Sequence, residues 1–294
     1  MTDTKLKNLG RLGLFSAALF WGVSFVLMKN IVANISPFYI FAIRLCGAAL
    51  VLLPFCAHKL KKIDKAYILG GVLMGAALLL GYLFQTFGLR LTTPGKNAFL
   101  TSVYCVIVPF LYWAYVKRRP DKFNAIAAVT CIAGIGFISL DGDLRIGVGD
   151  ALTLVCGFFF ALHIVITARF VEGRDPVILA MLQFAVGGAA ALVCAVFFEQ
   201  APSGIAVADI WSLVFLSVVS TGGCMLLQVF GQKYTPPSQA SVILALESVF
   251  GALSSVILLH EILTPRLLIG FVLTFAAVVT SETKLEFLKN KRRV

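Results

Sequence analysis

A few charged residues lie deep inside long apolar stretches of this 294-residue sequence. Glu247 follows Pro237 by ten residues, far from either end of its stretch, and His163 lies well inside another. An ionised side chain in hydrocarbon is costly unless it is paired or hydrated, so such residues mark candidate sites for substrates, ions or protons. Glu247 could bind a cationic group of a substrate or carry a coupling proton, and His163 could line the path or titrate near neutral pH. A structural carboxylate and a hydrogen-bonded core histidine are the alternatives.

Two basic residues, Lys29 and Arg44, also fall inside apolar stretches, and we predict them to be structural or gating charges. Lys29 lies near the end of its stretch, where a lysine can extend its ammonium to the membrane surface. Arg44 lies deeper, about 10 Å from the nearest surface. Its planar guanidinium suits carbonyl groups or a carboxylate, so both a structural lock and direct contact with a substrate remain open.

Uncharged polar and aromatic residues occur on the same stretches. Together with the two acid–base candidates they make up the predicted substrate-binding set: Trp21, Ser24, Phe25, Tyr82, Gln85, Asn97, Tyr104, Phe160, His163, Gln228 and Glu247. Aromatic walls with a few polar groups suit amphipathic organic solutes. Helix packing is the alternative for any single phenylalanine, and the amide side chains could equally join helices.

The sequence carries no pattern typical of an enzyme centre. It has no Glu-x-x-His or His-x-x-x-His pair, no Walker A loop, and no CxxC among its seven cysteines. We therefore predict no metal, no cofactor and no enzymatic activity. The net charge of +11 indicates basic cytoplasmic loops that lie beside anionic lipid. Nucleic-acid binding would need a basic face with interleaved aromatic residues, and the sequence has no such face outside the apolar stretches.

The amino-acid composition indicates that these residues lie in a lipid bilayer. Hydrophobic residues make up 60% of the chain and charged residues 13%, with a mean hydropathy of +0.95. Such a chain needs a bilayer, and only helices bond their own backbone over long continuous apolar runs. We predict an all-α integral membrane protein with ten transmembrane helices: 11–32, 37–57, 66–91, 96–116, 123–140, 148–170, 176–198, 208–232, 238–259 and 265–280.

The two halves of the chain repeat each other. Residues 83–88, followed by Thr92 and Pro94, return as residues 226–231, followed by Thr235 and Pro237, at an offset of 143. A second agreement at an offset of 139 aligns 35–37 with 174–176. The sequence thus predicts two five-helix repeats, 1–143 and 144–294, which meet at the polar segment 141–145. Duplicated helix sets are typical of transporters with a site between the halves.

Basic residues set the predicted orientation. With the N-terminus in the cytoplasm, nineteen Lys and Arg lie on the inner side and four on the outer side, so both termini are predicted to be cytoplasmic. Five helices per repeat is an odd number, so the second repeat must enter from the opposite face. The repeats would then have inverted topology, the arrangement that allows alternating access.

The order and spacing of several short motifs resemble the drug/metabolite transporter superfamily, and specifically a pair of EamA domains. The matching residues are 18–25, Pro37, Arg44, 85–97, 246–250, His260, Glu261 and Gly270. The resemblance implies ten helices, metabolite export or exchange, and a central cavity lined mainly by the first, third, fourth, sixth, eighth and ninth helices. The sequence departs from the family where Ser248 follows Glu247, since many members have proline there.

These observations predict a secondary transporter in the bacterial cytoplasmic membrane. The substrate would be a small organic metabolite such as an amino acid, an amine or a drug-like solute, moved by alternating access. A membrane-embedded enzyme acting on a lipid is the main alternative and a channel the weaker one. The partners expected are the small-molecule substrate and the lipid bilayer, with no nucleic acid. Both a monomer and a homodimer remain open.

Overall fold

The structure, a computed structural model, describes residues 3–117, 119, 122–139, 146–202 and 204–283. In this part of the chain thirteen α-helices follow one another: α1 Asp3–Ile31, α2 Pro37–Cys56, α3 Lys65–Leu91, α4 Pro94–Thr101, α5 Tyr104–Val116, α6 Lys122–Ser139, α7 Val148–Val171, α8 Pro176–Phe198, α9 Val207–Val214, α10 Cys224–Tyr234, α11 Pro237–Ala245, α12 Glu247–Leu259 and α13 Pro265–Thr283. A short 3₁₀ turn, Ala57–Lys62, follows α2. The predicted boundary of the halves, 141–145, lies outside the described residues.

Proline and polar caps explain where many of the helices begin. α2, α4, α8, α11 and α13 all start at a proline, whose fixed φ suits a first turn and whose missing N–H has no intrahelical partner there. Side chains of Asp64, Thr93 and Asp175 accept hydrogen bonds from the N–H groups that open α3, α4 and α8. Such signals are local, which is why the predicted starts fall close to the observed ones.

Eight helical segments of the described chain are long and apolar enough to cross a bilayer. The predicted fifth and tenth spans correspond to two shorter apolar helices, Ala125–Ile138 and Pro265–Ala277. Large apolar side chains are exposed on the outside of the bundle, including Ile132 (68%) and Phe197 (77%). This apolar exterior requires lipid rather than water around it. The chain is therefore an all-helical, multi-pass membrane protein, and the count of ten spans stays a prediction.

Three predicted spans are not regular helices. The fourth breaks between α4 and α5, the ninth breaks at Leu246, and the eighth contains a π-helical stretch, Phe215–Gly223. At the first break the Ser102 hydroxyl donates to the carbonyls of Ala98 (3.0 Å) and Ala245 (3.4 Å), and the Cys105 N–H shifts to the Ser102 carbonyl. A hydroxyl that bonds backbone carbonyls in this way bends a membrane helix. Apolar runs alone could not predict these breaks.

The most extensive helix–helix contacts join one half of the chain to the other. α3 packs on α7, α1 packs on α10 and α12, α2 packs on α8, and α6 packs on α13. Glycines allow several of these helices to approach closely, as where Gly88 on α3 meets Gly149 on α7. The core is therefore built mostly between the halves rather than within each of them.

Candidate functional site

A cavity lies between helices from both halves of the chain. The wall is mainly aromatic and aliphatic, with a few polar groups: Trp21, Ser24, Phe25, Met28, Arg44, Tyr82, Gln85, Thr86, Leu89, Tyr104, Phe160, His163, Ile164, Ser220, Met225, Gln228, Leu244 and Glu247. Arg44 contributes a guanidinium to this wall and Glu247 a carboxyl group.

The two helix breaks deliver one polar side chain each to the cavity. Tyr104 is the first residue of α5 and Glu247 the first residue of α12, and Glu247 follows Tyr104 by the repeat offset of 143. The Glu247 side chain interacts with the Tyr104 hydroxyl. No cation lies within ion-pair distance of Glu247 in the described part of the chain. The site therefore offers a buried carboxylate that can take a positive partner.

Arg44 enters the cavity from α2 and is 3% exposed. Its Nε donates to the Thr221 hydroxyl (3.1 Å) and its Nη1 to the sulfur of Met28 (3.2 Å). The guanidinium lies 4.6 Å from the centre of the Tyr82 ring, which is close enough for a cation–π contact. Tyr82 stacks on Phe41 and meets Phe160 edge to face, so the aromatic wall fixes the position of this cation.

His163 is held by amide side chains on both sides. Its Nε2 lies 2.8 Å from the Gln183 oxygen, and its Nδ1 lies 3.5 Å from the Gln228 nitrogen. Gln228 also donates to Gln232, which in turn donates to the Ile164 carbonyl. With both ring nitrogens bonded, His163 positions Gln228 at the cavity wall. Its proposed role in proton coupling stays a prediction.

α1 is tied to the π-helical stretch at the cavity wall. The Trp21 indole donates to the Ser220 carbonyl (2.8 Å), and the Ser24 hydroxyl donates to the Ser220 hydroxyl (2.9 Å). Ser24 also bonds back to the Phe20 carbonyl. Both donors are thus engaged within the protein, and each still exposes a face to the cavity.

Ten of the eleven predicted substrate-binding residues line this one cavity, and Asn97 does not. Asn97 is fully buried at the start of α4, where its amide donates to the Gln85 carbonyl (3.1 Å) and to the Thr153 hydroxyl (2.8 Å). It therefore joins α3, α4 and α7. Substrate contact and helix joining were the two roles open to the amide side chains, and these hydrogen bonds support the second for Asn97. Substrate binding by the other ten stays a prediction.

Lys29 binds the carboxyl end of a neighbouring helix. Its ammonium donates to the carbonyls of Leu89 (2.7 Å) and Thr92 (2.8 Å) at the end of α3. The last carbonyls of a helix lack intrahelical partners and carry partial negative charge, so they attract a lysine more directly than lipid headgroups do. Lys29 is a structural charge that joins α1 to α3.

Several residues of the cavity wall are not in the predicted set, although helical periodicity places them on the same helix faces as predicted residues. Met28 lies four residues after Ser24, and Leu89 lies four residues after Gln85. Residues three or four apart share a helix face. The same spacing relates Met225 to Gln228. Ser220 carried no comparable signal, because the π-helical stretch changes the phase of its helix.

The fold and this cavity define a polytopic membrane protein with a candidate solute site between its helices. The EamA-like transporter family matches the chain twice, over residues 8–140 and 147–282, and the chain belongs to that family. The predicted resemblance to paired EamA domains is thereby confirmed. The protein is a transporter of the drug/metabolite type and not an enzyme.

Full-length relatives are themselves described as transporters. An uncharacterized transporter of Archaeoglobus fulgidus is 35% identical over 91% of this chain and 84% of its own length. The uncharacterized transporter YoaV of Bacillus subtilis is 25% identical, over 89% and 92% of the two chains. A crystal structure at 15% identity covers 95% of this chain and 98% of its own, with a TM-score of 0.74, and supports the fold alone.

Proposed function

We propose that this chain is a secondary transporter that exports or exchanges a small organic metabolite across the bacterial cytoplasmic membrane. The substrate class includes amino acids, amines and drug-like solutes. The observation that carries the proposal is the buried carboxyl group of Glu247 in a mainly aromatic and aliphatic cavity, with no cation within ion-pair distance among the described residues. Such a wall suits an amphipathic organic solute with a basic group and suits a bare inorganic ion poorly.

We further infer ten helices in two inverted repeats, 1–143 and 144–294, with both termini in the cytoplasm. Contacts between the halves support this arrangement because they recur when the halves are exchanged. Gly88 on α3 meets Gly149 on α7, and their repeat mates Gly231 on α10 and Gly10 on α1 also meet. An in-plane two-fold relation between repeats produces such paired contacts.

The axis of this relation would pass the two helix breaks. The Ser102 hydroxyl donates to the Ala245 carbonyl, and these residues are separated by the repeat offset of 143. Two repeat mates can touch each other only near the axis that relates them. Tyr104 and Glu247, two residues further along each repeat, then lie beside the axis at the centre of the bundle. A site at this point is reachable from either face as the repeats rock.

Matching polar pairs occur at the two mouths of the proposed pathway. On the predicted outer side, Lys96 forms an ion pair with Asp150 (3.1 Å). Their repeat mates on the predicted inner side, Gln239 and Arg11, are also in contact, at 3.5 Å and in an exposed position. We propose that these pairs are equivalent gates, and that the outer gate is the stronger because it carries two opposite charges.

The gate proposal predicts a rate effect at the inner mouth. Gln239→Glu would add an ion pair with Arg11, and we expect transport to slow about two- to fivefold, the scale of one exposed ion pair. The initial rate of counterflow in proteoliposomes is the measurement. Arg11→Gln in the same chain should restore the rate, and high salt should weaken the difference. An unchanged rate in Gln239→Glu would contradict the gate.

Transport assays in proteoliposomes test the function itself. Purified protein would be offered labelled amino acids, amines, nucleobases and drug-like cations, with and without a pH gradient. We expect saturable exchange of at least one amphipathic organic solute. Dependence of accumulation on the gradient would indicate proton coupling, and gradient-independent exchange would indicate facilitated transport. Single-channel currents in place of saturable exchange would overturn the proposal in favour of a channel.

A further inference from the structure

Arg44 is a cation in the cavity wall. The proposed binding of a basic group by Glu247 gives Arg44 no role. It is 97% buried, since only 3% of it is exposed, and its two hydrogen-bond partners are a neutral hydroxyl and a thioether. A guanidinium has five N–H donors in a planar fork. Most of these donors therefore have no partner in the part of the chain that the structure describes.

Aromatic rings, and no acidic side chain, meet the charge of Arg44 in the part of the chain that the structure describes. The described ion pairs are Lys59 with Asp175 and Lys96 with Asp150, and neither involves Arg44. Buried charges are normally paired, because an isolated ion loses its hydration without a replacement. The cavity thus holds a buried guanidinium whose remaining N–H donors are available to a ligand.

We infer that Arg44 is an anion-binding subsite and that the solute carries a carboxylate as well as a basic group. This inference rests on the proposed transport function. The guanidinium would bind the carboxylate through its free edge, while Glu247 receives the protonated amine. In this complex Glu247 is ionised and balances the charge of Arg44, so a solute with no net charge leaves the filled cavity neutral.

The single positive charge favours a carboxylate over a phosphate ester. No lysine and no second arginine occurs among the residues that line the cavity. A phosphate monoester carries close to two negative charges at neutral pH and would exceed what one guanidinium can neutralise. The aromatic side chains of Trp21, Tyr82 and Phe160 line the same cavity and would contact the apolar part of such a solute.

Matched sets of three solutes test the subsite without any substitution. One set is leucine, its decarboxylated amine 3-methylbutylamine, and its deaminated acid 4-methylpentanoate. The second is phenylalanine, phenethylamine and 3-phenylpropionate. We expect the zwitterion in at least one set to compete for transport about 10- to 100-fold better than its amine, the scale of a hydrogen-bonded charge. Thermal stabilisation of the purified protein by the same compounds gives an independent readout.

Substitutions then assign the preference to Arg44. In Arg44→Gln the zwitterion should lose its advantage and fall to within about twofold of the amine, whose own transport persists. Arg44→Lys keeps the charge without the planar fork and should give an intermediate ratio. Thr221→Val removes a partner of Arg44 but no charge, so it should retain the preference.

The outcomes separate the two proposals. If the wild-type protein carries amine and zwitterion equally well, the anion subsite is wrong while the transporter assignment stands. If Arg44→Gln is active and keeps the preference, Arg44 is a structural lock. If Arg44→Gln does not fold, the ratio in Arg44→Lys and the wild-type stabilisation by the three solutes decide. If the protein neither transports nor binds any of the six compounds, both the anion subsite and the proposed transport function are wrong for amino acids, amines and carboxylic acids of this kind.

Discussion

Replacing Glu247 by glutamine is expected to reduce transport about 100-fold, because removing one partner of a buried charge pair costs about 2–5 kcal/mol. The amide keeps the size of the side chain and its place at the start of α12. It removes the negative charge that would meet the amine of the solute. The measurement is solute exchange in proteoliposomes at equal pH on both sides, with the folded yield checked by size-exclusion chromatography.

The same substitution separates substrate binding from proton coupling. If Glu247 binds the solute, both exchange at equal pH and gradient-driven uptake are lost. If Glu247 carries only the coupling proton, exchange survives and accumulation driven by a pH gradient disappears. Glu172→Gln makes the same chemical change at an exposed position after α7 and serves as the matched control. Full activity of Glu247→Gln in both assays would remove Glu247 from the site.

The sequence alone predicted the membrane class and most of the cavity wall, and the reasons are physical. Continuous apolar runs in lipid leave the backbone little choice but a helix, so helix existence follows from composition. Candidate functional residues could also be identified from the sequence, because polar residues deep in such apolar runs are rare and energetically costly. Glu247, His163 and Gln228 were found in this way, and they do line one cavity.

The sequence could not choose between partners for groups with more than one suitable partner. For Asn97 both substrate contact and helix joining were open, and the carbonyl of Gln85 and the hydroxyl of Thr153 bind its amide inside the bundle. For Lys29 both the lipid headgroups and a structural role were open, and the carbonyl end of α3 binds its ammonium. Such choices depend on which helices are neighbours. A single sequence does not contain that information.

The helix breaks illustrate the same limit. Ser102 looks like many small polar residues in apolar runs, and its hydroxyl bends the chain by bonding the carbonyls of Ala98 and Ala245. Ala245 belongs to the other half of the chain. The repeat offset could have suggested this contact, because Ser102 and Ala245 are repeat mates. Repeat mates that contact each other lie near the axis that relates the repeats.

Valine at either of two repeat-related glycines should strongly reduce the amount of folded protein. A Cβ at Gly88 would lie 2.7 Å from the Gly149 carbonyl oxygen, and one at Gly231 would lie 2.9 Å from the Gly10 carbonyl oxygen. Backbone cannot move aside as a flexible side chain can, so α3 would separate from α7 and α10 from α1. Overpacking of this kind costs about 1–3 kcal/mol. Thermal unfolding in detergent and the monodisperse yield are the measurements.

The comparison between the two glycines carries more information than either variant alone. If the halves are related by an in-plane two-fold, the packing of α3 on α7 and of α10 on α1 are equivalent, so Gly88→Val and Gly231→Val should destabilise by similar amounts. Gly147→Val is the matched control, since a Cβ at Gly147 would meet no atom within 4 Å. A large loss in one variant with none in the other would show that the two contacts are not equivalent. Such a result would argue against rocking of the repeats about one common axis, and the alternating-access proposal depends on that axis.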